Sequence, residues 1–61
     1  MTVRIETEGE EGTLYKKYEG VKGFYTIPQN DGSVLISISF FGKVDSVFVL
    51  VGAAYYIVCQ D

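Results

Sequence analysis

Few residues in this chain have types that could do chemistry. They are the carboxylates Glu6, Glu8, Glu10, Glu11 and Glu19, the run Tyr15-Lys16-Lys17-Tyr18, the thiol of Cys59 and a set of serines. There is no histidine, so the usual general base for a serine or cysteine nucleophile is missing. A Ser–Lys pair would need close approach, yet the serines fall inside β-rich runs and Lys43 falls in a turn. No catalytic residue is expected, and the chain reads as non-enzymatic. One cysteine cannot close an intrachain disulfide, and by itself it supplies too few ligands for a metal. No metal and no cofactor are expected, and Cys59 reads as a small buried hydrophobe. The glycines separate strands and do not lead into a helix that would hold a phosphate.

The carboxylates are the most suggestive group. On a strand, Glu6 and Glu8 project from one face roughly 7 Å apart, because each residue rises ~3.3 Å. That spacing is close to that of successive backbone phosphates. Glu6, Glu8, Glu10 and Glu11 are therefore a candidate mimic of nucleic acid, against the plainer reading of a solvated, aggregation-resistant face. A calcium loop at Glu8–Glu11 is disfavoured, because the ligand spacing is wrong. The aromatic and basic cluster Tyr15–Tyr18, with Lys22, Phe24 and Tyr25 nearby, raises single-strand nucleic-acid stacking as an alternative. Tyr15 and Tyr18 lie on opposite faces of one strand, however, so they form no single platform.

Sixty-one residues make one domain, here residues 1–61, near the lower limit for folding without staples. Apolar residues make up 48% of the chain and mean hydropathy is +0.18. A domain this small leaves much of that apolar content wet, so it is expected to self-associate or to present a greasy face to a protein partner. The net charge of −3 argues against a nucleic-acid partner, which needs a basic patch. The first residues lack the apolar core of a signal peptide. Val47 to Cys59, thirteen residues, is too short as a helix to cross a membrane. A cytoplasmic location without membrane attachment is the expectation.

The elements that position these groups read as strands. Val, Ile, Tyr, Phe and Thr are abundant, and glycine recurs at turn-like intervals. Alternation gives strands over 2–8, 13–19, 24–28, 33–41, 44–51 and 54–60, separated by Gly9–Gly12, Gly20–Gly23, Asn30-Asp31-Gly32, Gly42-Lys43 and Gly52-Ala53. The fold class is all-β. An antiparallel meander of five to six short strands is expected, curled into a small barrel or sandwich and completed by homo-oligomerisation.

Two-residue turns at Gly42-Lys43 and Gly52-Ala53 would set the register. Val34, Ile36 and Ile38 then face Val51, Val49 and Val47, and Tyr56 and Val58 join that core face. The opposite face collects Leu35, Phe41, Val44, Phe48, Leu50, Tyr55 and Ile57, relieved only by Ser37, Ser39, Ser46 and Cys59. A sheet with one solvated face should alternate apolar and polar, and these strands do not. The seven apolar residues are the candidate partner-binding face, covered by the N-terminal strands, by another copy or by a protein partner. The functional expectation is a small acidic binding protein acting as an inhibitor or adaptor, of the kind viral or mobile-element genomes encode. A self-assembling structural oligomer and a small single-stranded nucleic-acid binder are the alternatives.

Overall fold

The computed structural model describes residues 1–9 and 12–60. It is all-β, with β1 (Thr2–Gly9), β2 (Gly12–Tyr18), β3 (Val21–Pro28), β4 (Val34–Phe40), β5 (Val47–Val51) and β6 (Tyr55–Gln60). They form two three-stranded antiparallel sheets: sheet A in the order β2-β1-β6 and sheet B in the order β3-β4-β5. No helix among the described residues is long and apolar enough to cross a membrane.

Alternation on β1 sends Val3 and Ile5 inward and Arg4, Glu6 and Glu8 outward, and β4 does the same with Ile36 and Ile38. The core lies between the sheets. Val3 and Ile5 from sheet A meet Val21, Ile36, Ile38, Val49 and Val51 from sheet B, with Tyr18, Phe24, Val34, Phe40, Tyr55 and Ile57 packed around them.

The expected register of β4 against β5 holds, with Val34, Ile36 and Ile38 opposite Val51, Val49 and Val47. The turn differs. Lys43 N–H donates to the Phe40 carbonyl and Gly42 has φ +75°, so glycine occupies the second central position of that turn, not the first. β5 begins at Val47, and Phe41 and Val44 lie outside the ladder.

The expected meander fails at its last step. β6 does not pair with β5 but crosses to the free side of β1, setting Ile57 beside Ile5 and Tyr55 beside Thr7. This shields the second edge of the strand that carries Val3 and Ile5, which a β5–β6 hairpin would leave open. The change reverses the parity of β6. Tyr55 and Ile57 pack on the core, and Tyr56 and Val58, expected inside, sit opposite Glu6 and Arg4 on the outer side. Neither is the structure a closed barrel. β2, β3, β5 and β6 are each laddered to one neighbour only.

Residues 20–23, expected to be a turn, form a corner between the sheets. Gly20 takes φ +71° and β3 starts at once, with Val21 buried. Val21 N–H donates to the Met1 carbonyl, and Phe41 N–H donates to the Gly20 carbonyl. A chain bent at such a point can pass from one sheet into the next. The register shift between Val21 and Gly23 absorbs Lys22 as an extra residue.

At the β3–β4 hairpin only Gly32 adopts positive φ, at 90°. Gln29 N–H donates to the Ser33 carbonyl and Gly32 N–H donates to the Gln29 carbonyl, which makes the loop three residues long with glycine in the left-handed position.

Candidate functional site

The outward face of sheet B is built by the alternation that fills the core. With Ile36 and Ile38 inward, Leu35, Ser37 and Ser39 point away from the core. The ladders place Ile27 and Leu50 on either side of Leu35, and Tyr25 and Phe48 on either side of Ser37. Tyr25, Phe48 and Leu50 are 61%, 58% and 65% exposed, while Ser37 between two of them is 3% exposed. The face is thus a shallow dip over a serine, walled by aromatic and aliphatic side chains. Beside it, the Ser39 hydroxyl donates to the Gly23 carbonyl at 3.1 Å.

Of the seven residues expected to share a partner-binding face, Leu35, Phe48 and Leu50 lie on this one. Phe41 and Val44 are exposed in the 41–46 connection. Tyr55 and Ile57 belong to the other sheet and face the core, because β6 changed partner. The N-terminal strands cover the face that holds Ile36 and Ile38, not the one that holds Phe48. Tyr25 and Ile27 were missed. Their signal was available, since carrying the β4 alternation back across the Asn30-Asp31-Gly32 hairpin sets Tyr25 beside Ser37.

Sheet A has an outer face of opposite character. It carries Arg4, Glu6 and Glu8 on β1, Thr13, Tyr15 and Lys17 on β2, and Tyr56, Val58 and Gln60 on β6. Glu6 and Glu8 share this face, but Glu6 sits between Tyr15 and Tyr56, with the Arg4 guanidinium 3.9 Å from its carboxylate. Glu10 and Glu11 lie outside the described residues. Lys17 is 3.6 Å from Glu19.

The tyrosines disperse. Tyr15 lies on the outer face of sheet A and Tyr25 on the outer face of sheet B, while Tyr18 packs inside against Phe40 at 6.3 Å between ring centroids. Lys43 Nζ lies 5.8 Å from the centroid of the Phe40 ring. Cys59, expected to be buried, is exposed on β6, a strand with one free side.

A cleft of about 290 Å³ opens where the sheets part, lined by Ile5, Thr7 and Leu14 from sheet A and by Val49 and Val51 from sheet B, with Lys16 at its wall. Among the described residues, no group of three His, Cys, Asp or Glu side chains comes together. Among the described residues, the Asp31 carboxyl is held by its own hairpin. The Ser33 hydroxyl and then the Ser33 amide donate to the Asp31 carboxylate and hold its pKa below the ordinary value.

Comparison with protein families, with characterised proteins and with solved structures finds no match to this chain.

Proposed function

We propose that this chain is a small acidic, non-enzymatic binding protein that acts as an inhibitor or adaptor, docking on a protein partner through the outer face of sheet B. The observation that carries this reading is the contrast between the two outer faces. Sheet A turns charged and hydroxyl groups to water, as a solvated sheet does. Sheet B turns Tyr25, Ile27, Leu35, Phe48 and Leu50 the same way, with no charged side chain among them. A contiguous apolar patch with aromatic walls is the usual composition of an interface centre. The partner is expected to offer a complementary apolar ridge, with its long axis along β4 and a projecting side chain over Ser37.

The acidic strand supports a mimic role less well, because Arg4 and two tyrosines surround Glu6. Stacking of a single nucleic-acid strand has no support from the tyrosines, which are divided among three surfaces.

A photo-crosslinking residue placed at Phe48, compared with one at Tyr56, tests the reading in the native host's lysate. Capture of one protein from position 48 and none from position 56 is the expected result, and Tyr25→Lys should abolish it. Equal capture from both positions would remove the outer face of sheet B as the docking surface.

A further inference from the structure

We propose that the cleft between β2 and β5 binds a medium-chain aliphatic carboxylate, its tail laid against Leu14, Val49 and Val51 and its head paired with Lys16. The inference does not rest on the docking reading above. The docking face is the outer side of sheet B, and the cleft opens between the two sheets.

The cleft exists because sheet B ends at β5. β2 and β5 are each laddered to one neighbour, so no strand bridges the sheets on this side. On β2, Leu14 stands opposite Thr7 and Lys16 opposite Ile5, so both turn toward sheet B with the inward row of β1. Ile5, Val49 and Val51 are buried there, whereas Leu14 is 66% exposed and Lys16 is exposed too. Leu14 and Lys16 thus form a wall that sheet B does not reach. A volume of about 290 Å³ remains in front of it, and Tyr15 and Leu50 complete the lining.

Size and lining select the occupant. Ligand sites are mostly apolar with a few convergent polar groups, and they range over about 300–1,000 Å³. This cleft stands at the lower end, which suits one unbranched tail better than a strand of another chain. Its lining is mainly aliphatic, with Tyr15 the one aromatic among the described residues.

Charge sets the other end of the ligand. Among the described residues of the lining, Lys16 is the one charged group, and no carboxylate answers it there. The described ion pairs, Arg4 with Glu6 and Lys17 with Glu19, do not include it. An inward lysine at an open edge lays its methylenes along the apolar wall and carries its ammonium at the mouth. An apolar cleft with a single cation at its mouth complements a tail that ends in a single negative charge. The net charge of −3 opposes an anion at long range. Affinity must therefore come chiefly from burial of the tail, while Lys16 fixes its direction.

Titration of hexanoate, octanoate and decanoate into the isotope-labelled chain, followed by methyl NMR into the millimolar range, tests this. The largest shifts should fall on Leu14, Val49 and Val51. Each added methylene that enters the cleft should tighten binding about fourfold, which is the ~0.8 kcal/mol of a buried CH₂. Lys16→Glu turns an attraction into a repulsion. It should weaken octanoate by about tenfold and leave 1-octanol within about twofold. Leu14→Ser should weaken both ligands alike. Both positions are exposed, and circular dichroism should confirm that the variants fold. Tyr25→Lys, on the outer face of sheet B, should change nothing. Four results overturn the proposal: no saturable binding, shifts centred on Ile27 and Leu35, an affinity indifferent to tail length, or a Lys16→Glu variant that treats octanoate and octanol alike. The second would place the tail on the outer face of sheet B. Crosslinking from position 48 reads that outer face alone, so the two readings can fail separately.

Discussion

Met1 and Val21 exchange two backbone hydrogen bonds across the corner between the sheets. The α-amino group donates to the Val21 carbonyl at 3.0 Å, and the Val21 amide donates to the Met1 carbonyl at 2.9 Å. The pair extends β1 past the end of β2 and binds it to the first residue of β3, so sheet A and sheet B are tied by hydrogen bonds as well as by packing. Val21 itself is buried, which lets a single residue serve both links.

Removing Met1 deletes both bonds while leaving every strand pair in place. At about 1 kcal/mol for each net hydrogen bond, the shortened chain should lose about 2 kcal/mol of stability. Urea unfolding followed by tyrosine fluorescence reads this directly. A midpoint unchanged from the full chain would mean that the corner holds without the pair.

Lysine at Tyr25 or at Leu50 tests the apolar face without touching the core. Both side chains are exposed, so the stability change should stay within about 0.5 kcal/mol. Affinity for the crosslinked partner should fall by more than about tenfold. Loss of folding in either variant would show that the face is covered within the chain.

The parity of β6 has its own test in adjacent tyrosines. Tyr55 packs against the core and Tyr56 is exposed. Tyr55→Ala should cost about 2 kcal/mol, in the lower range for truncating a large apolar side chain, while Tyr56→Ala should cost about 0.5 kcal/mol. The reverse order would restore the β5–β6 hairpin and its opposite face.

Asp31 gives the β3–β4 hairpin a dependence on pH. Ser33 donates to its carboxylate from hydroxyl and amide, and its pKa lies below the ordinary 3.8. A group whose folded-state pKa is depressed contributes stability above its unfolded value and loses it as pH falls through the folded value. The hairpin should therefore hold at neutral pH and loosen only in strong acid. Ser33→Ala should move the Asp31 carboxyl back toward its ordinary range in an NMR titration. No movement would mean that the hydroxyl bond is absent in solution.

Alternation, read from the sequence, determined the local structure: the all-β class, the approximate strand segments and the β4–β5 register from Val34–Val51 to Ile38–Val47, although the turn between those strands took another form. Each depends on residues close in the chain, and a short connection leaves few registers to choose among. Leu35, Phe48 and Leu50 could be placed on one face for that reason. The tertiary structure alone decided which strand β6 would join, and with it the side of the sheet taken by Tyr55 and Ile57. It also decided that Gly20 would be a corner, that Val21 would enter the core and that Cys59 would stay exposed. These outcomes turn on burial between segments distant in the chain. A one-residue change of parity at Gly52–Ala54 costs nothing local, yet it reverses the two faces of everything after it.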